Sequence, residues 1–527
     1  MPSVVSAETQ AGFTQPAGIA SLLSAIAAVT PDKEAVVFDG ERLTYKSLES
    51  LAFAVATQLS GLGIKRGDRV GLLFPNRPGY VSSFFGASSI GATIVPVNPL
   101  LKSEEIAHIL GDSQASAIIV HESSLDEVLK GLPSVPSIKF VLVSRTTSAP
   151  LTLEFASPGV KVIELTRQAT AAPATWTSAV DPQADLALLV YTSGTTGKPK
   201  GAMLTHENLF SAIRSAHAAL SLSPQDRFLA VLPLCHIYGL AVVMLGTICR
   251  GGTLVVVEKF DAAGVLATIQ AEKVTLVPVV PAMYQFMLME LQKTKYDLGS
   301  VRVCLSGAAA LPPELIERIE TSFDAALIEG YGMTESSCIA TVNPINGVRK
   351  PGSVGIPVES LKIEIFADDG RALPPGADNV GEVALKGANV MRGYYRRPEA
   401  TAECFRDGWF FTGDLGYTDE DGYLFLVGRK KELIIRGGQN IYPREVEEII
   451  LRMPEVAEVA VIGVPDQYMG ERVKAVVALN AGATLSQQCV RDFCAERLAE
   501  YKVPRLVEFI DRLPRNSTGK VLKRVLT

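Results

Sequence analysis

The chain has 527 residues, 47% hydrophobic and 20% charged, with a formal net charge of −6. That length exceeds one simple core and implies two or more domains, and the composition excludes a disordered chain. A slightly acidic chain whose basic run Arg429-Lys430-Lys431 is so short argues against a nucleic-acid partner, which calls for a basic face.

The N-terminal stretch has no basic leader followed by an apolar core, so no secretory signal is read. Ile19 to Val29 is apolar but stopped by Pro31, which predicts an amphipathic helix packed on the body. No apolar run approaches the ~20 residues that span a bilayer, and Arg524 to Thr527 matches no retention or peroxisomal signal. The cytoplasm is the expected location.

Val70 to Phe74, Ala92 to Val97 and Ala117 to Val120 predict buried strands. Between the last two, Ser103 to Leu110 predicts a helix, with Ser103 as N-cap and Glu104 and Glu105 suited to its first turn. Thr146 to Thr177, rich in Ala, Ser, Thr and Pro, predicts a surface connection. Strands recur at Phe228 to Val231, Thr253 to Val257, Thr275 to Val279 and Val301 to Leu305. Strands alternating with helices imply parallel sheets covered on both faces.

From about 353 to 428 the texture changes. Leu361 to Phe366 alternates apolar and charged residues, Asp368-Asp369-Gly370 turns, and Gly381 to Gly387 follows. This predicts a small antiparallel β unit. Beyond Lys431 come a predicted helix from Pro443 to Ile450, a strand from Val456 to Val464 and a helix from Gln487 to Ala499. Seven cysteines, an odd count with no CxxC pair, read as reduced thiols rather than a zinc site or a disulfide frame.

The most informative stretch is Tyr191-Thr192-Ser193-Gly194-Thr195-Thr196-Gly197-Lys198-Pro199-Lys200-Gly201, directly after the apolar run Leu186 to Val190. Its glycines let backbone N–H groups approach an anion, its hydroxyls donate, and its lysines add charge. It suits a polyphosphate. It is not the common P-loop, because only two residues separate Gly194 from Gly197-Lys198 and Pro199 stands where Ser or Thr should open a helix.

This loop resembles the phosphate loop of the adenylate-forming enzymes: acyl- and aryl-CoA synthetases, peptide-synthetase adenylation domains and firefly luciferase. The resemblance continues through Glu329-Gly330-Tyr331-Gly332-Met333-Thr334-Glu335, Phe411-Thr412-Gly413-Asp414, Gly428-Arg429-Lys430-Lys431-Glu432-Leu433 and Pro514-Arg515-Asn516-Ser517-Thr518-Gly519-Lys520. It implies an α/β fold with a large N-terminal domain, residues 1–430, made of parallel sheets covered by helices plus the small antiparallel unit. A small hinged α+β C-terminal domain, residues 431–527, would follow, with Lys431 as the hinge.

The implied reaction has two steps. A carboxylate attacks the α-phosphate of ATP, giving acyl-adenylate and pyrophosphate; coenzyme A then displaces AMP. Such chemistry needs positioning and charge neutralisation rather than a protein nucleophile. By resemblance, Lys520 bridges the carboxylate and the α-phosphate, and Thr192, Ser193, Gly194, Thr195, Thr196, Gly197, Lys198 and Lys200 hold the phosphates. Tyr331, flanked by Glu329, Gly330 and Gly332, stacks on adenine, with Gly307, Ala308 and Ala309 on its other side. Thr334 bonds the α-phosphate and Glu335 binds Mg²⁺. Asp414 takes the ribose hydroxyls, Arg429 assists, and Gly437-Gly438 line the thiol tunnel.

His236 is expected beside the acyl carboxylate. Tyr238, Gly239, Val243, Val280, Met283, Gly332 and Ile339 are expected to line the acyl pocket, and enlarging Gly239 to shorten the preferred chain. The lining stretches lack an Arg or Lys for a second carboxylate and an Asp for an amino group, which disfavours malonate, oxalate and amino acids. A medium- to long-chain fatty acid is the expected substrate. An aryl acid of the hydroxycinnamate or benzoate type, or loading of a carrier protein in trans, is the alternative. Ile435 stands where luciferases and hydroxycinnamate ligases carry a lysine, which weakens those two assignments. A monomer or homodimer is expected.

Overall fold

The computed structural model describes residues 18–146, 159–166, 180–192, 199–309, 311–436, 439–515 and 521–526. The chain forms two compact units: Met1–Lys362 with Lys386–Phe405, and Ile363–Leu385 with Arg406–Thr527.

The first unit holds two large sheets. In one, the strands run in the order Ile356–Pro357, Thr341–Val342, Ala326–Tyr331, Val303–Ser306, Leu276–Val279, Arg227–Ala230, Thr253–Val256, Glu34–Phe38, Glu41–Thr44. The six from Ala326–Tyr331 to Glu34–Phe38 are parallel, and the outer strands at either edge are antiparallel. The other sheet runs Lys161–Glu164, Phe140–Ser144, Ala117–His121, Arg69–Leu73, Thr93–Val97, Leu186–Thr192, Lys200–Thr205. It is parallel except for the last pair, a hairpin. Strands such as Thr93–Val97 and Ala117–His121 are buried along their whole length, as parallel strands covered on both faces must be.

The second unit carries a five-stranded sheet built around Gly381–Gly387, Trp409–Thr418 and Leu424–Arg429, which pair antiparallel. It also carries an α/β piece. There Val456–Asp466 and Gly470–Leu479 pair antiparallel, Leu506–Ile510 adds in parallel, and the helices Pro443–Ile450 and Gln487–Ala495 bury Val446, Ile450, Val490 and Cys494 in one cluster.

Three local expectations need correction. Ser103 is the first residue of its helix, Ser103–Asp112, and not its cap; Lys102 takes that place, and Glu105 reaches back to accept from its N–H at 3.0 Å. Within the Ala/Ser/Thr/Pro-rich connection, Lys161–Glu164 adds an edge strand. The helix from Gln487 stops at Ala495 rather than Ala499. All seven cysteines are free. No helix of the described residues is long and apolar enough to cross a membrane.

Candidate active site

In open parallel sheets, ligands gather where the strands present their carboxyl ends. Four adjacent strands of the larger sheet end in the segments singled out by sequence. Arg227–Ala230 leads to His236 and Tyr238, Leu276–Val279 to Val280 and Met283, Val303–Ser306 to Gly307, Ala308 and Ala309, and Ala326–Tyr331 to Gly332, Thr334 and Glu335. Strand order thus brings together residues up to 99 positions apart. A Cβ on Gly307 would lie 3.4 Å from the Tyr238 ring and 3.6 Å from the carbonyl of Gly330. Ala308 and Ala309 are exposed, and Ala308 adopts φ 67°, a left-handed turn that ends the strand abruptly. Glu329 sits in register with Ser306 inside the sheet.

The turn bearing Thr334 and Glu335 is tightly wound. Cys338 donates to the carbonyl of Met333 at 2.9 Å and Ala340 to that of Tyr331 at 2.8 Å. Ser337 and Cys338 have φ 52° and 87°. Non-glycine residues held left-handed cost on the order of 1–3 kcal/mol each and persist only where the surroundings over-determine them. Asn389, fully buried, supplies that restraint: its Nδ2 donates to the carbonyl of Ser336 at 3.1 Å, and its own carbonyl accepts from Ser337 Oγ at 2.8 Å. Glu335 is 8% exposed, and its Oε1 accepts from the Tyr394 hydroxyl at 2.9 Å.

His236 stands where the two sheets of this unit meet. Asn98, just past Thr93–Val97, places its Nδ2 3.2 Å from His236 Nε2. An amide nitrogen donates, so that imidazole nitrogen accepts and carries no proton in this arrangement. Asn76 fixes the approach to His236. Its Nδ2 donates to the carbonyl of Leu232 at 2.9 Å, and its Oδ1 accepts from the N–H of Leu234 at 2.9 Å. Burial pushes the neighbouring Cys235 thiol up to about 12, so it remains protonated and is no nucleophile at neutral pH.

From Tyr238 to Leu245 the chain winds as a π-helix, a rare form that is frequent at functional sites. Every residue from Gly239 to Leu245, Val243 included, is buried. Ile339 is also buried, and Met283 packs on the core. Gly239 has a different reason to be glycine than room for a chain. A Cβ there would sit 2.4 Å from the carbonyl oxygen of Pro233 and 2.9 Å from its carbon. The expectation of a shortened chain preference is therefore replaced: Gly239→Trp should lower kcat/KM by a similar factor for every acid tested. A selective loss on long acids alone would restore the tunnel interpretation.

Ser193, Gly194, Thr195, Thr196, Gly197 and Lys198, expected in a phosphate loop, lie outside the described residues, as do Gly437, Gly438 and Lys520. The residues on either side of the expected loop are described. Thr192 and Lys200 are paired across the hairpin, the Tyr191 hydroxyl donates to Asp112 at 2.8 Å, and His108 Nε2 lies 3.4 Å from the carbonyl of Pro199.

In the second unit Asp414 and Arg429 are cross-strand partners, with Arg429 Nε 3.1 Å from Asp414 Oδ1. Asp414 is 5% exposed; its N–H donates to Thr412 Oγ1 at 3.0 Å. Gly413 has φ +74° and opens the strand at this point. Lys431 is exposed in the short turn Lys430–Glu432, beside Lys430, which pairs with Asp368 and Glu382. Sequence reading missed Asn76, Asn98, Asn389 and Tyr394. The only local signal was an Asn next to a Pro after an apolar strand, at Pro75-Asn76 and Asn98-Pro99.

The AMP-binding enzyme family matches residues 23–395, and the AMP-binding enzyme C-terminal domain matches residues 445–520. A long-chain-fatty-acid–CoA ligase of Bacillus subtilis (strain 168) is 38% identical over 523 residues, covering 96% of this chain and 93% of that one. A feruloyl-CoA synthase of an Amycolatopsis species is 38% identical over 498 residues, covering 94% and 96%. Among solved structures, ATP-bound MatB from Rhodopseudomonas palustris superimposes with a TM-score of 0.87 at 33% identity, over 97% of this chain and 98% of that one.

Proposed function

The chain belongs to the AMP-binding enzyme family and is an AMP-forming acyl-CoA synthetase using ATP and coenzyme A, and from that premise we propose that its acid is a medium- to long-chain fatty acid. The observation that carries this reading is the buried π-helix Tyr238–Leu245, which offers no charged side chain to a substrate. An acyl chain gains about 0.8 kcal/mol per buried methylene and asks for no polar partner. The fatty-acid ligase of Bacillus subtilis supports it. The second reading, an aryl acid, is favoured by the feruloyl-CoA synthase at the same 38% identity and by the Tyr238 ring beside Gly307.

In the proposed mechanism, the acid's carboxylate oxygen attacks the α-phosphorus of ATP and pyrophosphate leaves. The coenzyme A thiolate then attacks the acyl carbon and AMP leaves. Lys520 neutralises charge between carboxylate and α-phosphate in the first step, helped by Thr334 and the loop from Thr192 to Lys200. Tyr331 stacks on adenine beside Gly307, Ala308 and Ala309. Asp414, with Arg429 at its carboxylate, accepts from the ribose hydroxyls. His236, unprotonated at Nε2 and aligned by Asn98, lies beside the acyl carboxylate. Gly437-Gly438 guide the thiol, and rotation about Lys431 exchanges residues 431–527 between the steps.

Glu335 fits a hard divalent ion such as Mg²⁺. It is a nearly buried carboxylate whose oxygen is fixed by a hydroxyl donor. Among the described residues no three His, Cys, Asp or Glu side chains gather into a metal cluster. Glu335 would hold such an ion, with ATP phosphate oxygens as the other hard ligands. When bound, it neutralises phosphate charge.

The test is kcat/KM for CoA ligation with ATP and Mg²⁺ over saturated acids of increasing length and over cinnamates and benzoates. Activity should rise along the fatty series. A maximum on aryl acids, with no gain along the fatty series, would overturn the fatty-acid reading and promote the second one.

A further inference from the structure

Residues 388–397 form a strap that touches both phosphate-handling parts of the first unit. On one side Met391 N–H donates to the carbonyl of Glu335 at 2.7 Å, while Asn389 clamps the turn that follows. On the other side the strap runs along the hairpin strand Lys200–Thr205. Arg392 donates to Met203 at 2.9 Å, Met203 to Gly393 at 2.9 Å, and Tyr395 to Gly201 at 2.8 Å. Arg397 pairs with Asp112 at 2.5 Å, the same carboxylate that holds Tyr191 at the start of the phosphate loop.

The Tyr394 side chain reaches both sides. Its hydroxyl lies 2.9 Å from Glu335 Oε1, and Lys200 Nζ lies 5.4 Å from the centre of its ring. The phenol donates to the carboxylate, and the ring face attracts the ammonium. We propose that Tyr394 is a positioning residue that sets the Glu335 carboxylate for the divalent ion carrying the ATP phosphates and holds Lys200 at the exit of the phosphate loop. This rests on the reading of Glu335 as the metal ligand. Tyr394 touches neither reacting atom; it acts through the groups that do.

A role in packing alone would weaken nucleotide binding with and without metal alike. A positioning role shows in the metal-dependent part. The measurement is the Kd of ATP by isothermal titration calorimetry, without acid substrate, once in excess Mg²⁺ and once in EDTA. Tyr394→Phe keeps the ring over Lys200 and removes the donor. It should reduce the gain in affinity conferred by Mg²⁺ about tenfold, the scale of one hydrogen bond to a charged group, and leave the Kd in EDTA within about twofold. Glu335→Gln should abolish that gain. If Glu335→Gln abolishes it while Tyr394→Phe keeps the wild-type gain, the role of Tyr394 is overturned and the metal reading stands. If Glu335→Gln keeps the wild-type gain, the metal reading fails and the proposal with it. Equal weakening by Tyr394→Phe in both buffers also overturns it, as packing.

Discussion

Lys520→Ala is expected to lower acid-dependent pyrophosphate exchange by roughly 10²–10³, the usual cost of one preorganised electrostatic contact to developing charge. Conversion of supplied acyl-adenylate and coenzyme A to thioester should survive. The motif ending in Gly519-Lys520 supplies the assignment, and the ends of its loop support it. Arg515 and Val521 form a bridge and Leu522 donates to the carbonyl of Pro514 at 2.8 Å, so the described residues on either side of the motif are held together. The neighbouring cations are engaged: Arg515 with Glu458 at 2.5 Å, and Lys523 with Glu447 at 2.7 Å and Glu432 at 3.1 Å. Neither is placed to take over for Lys520 without breaking a pair. Wild-type exchange in the variant, with normal folding, would sink the assignment.

The parallel sheets were legible because a doubly covered strand is a short apolar run, and each run from Val70 to Leu305 falls on a strand of the structure to within about two residues. The motif loops were legible because they follow those strands directly. The groups that restrain the loops were not. Asn76 works on residues 154 to 181 positions away, Asn98 on one 138 away, and Tyr394 on one 59 away. Periodicity reports local geometry and says nothing about which distant polar groups a buried amide will satisfy. Gly239 shows the same limit in another form. Smallness is visible in the sequence, but whether it faces a substrate or the backbone of Pro233 is a tertiary fact. The edge strand Lys161–Glu164 escaped notice because it is only four residues long and none of them is buried.

Gly332→Ala is expected to cost about 10²-fold or more in adenylation, the scale set by moving catalytic groups by about 1 Å. Gly332 does not adopt a left-handed φ, so its need for glycine is one of space. A Cβ there would stand 1.7 Å from the carbonyl oxygen of Cys338, 2.4 Å from its carbon and 2.9 Å from the nitrogen of Ile339. These are backbone atoms, and no side-chain rotation relieves the overlap. The loop cannot simply open, because Cys338 and Ala340 return to Met333 and Tyr331 through backbone hydrogen bonds of 2.9 and 2.8 Å. Asn389 holds it from outside. Relief must therefore come from shifting Met333 to Ile339 as a body, and Thr334 and Glu335 travel with it. The strain already stored at Ser337 and Cys338 leaves little further adjustment. The measurement is pyrophosphate exchange and ATP affinity beside a thermal melt. The variant should melt cooperatively at a somewhat lower temperature and exchange about 10²-fold more slowly. Exchange within threefold of wild type would mean that the turn yields without moving Thr334 or Glu335, and that its close packing does not set the geometry of the site.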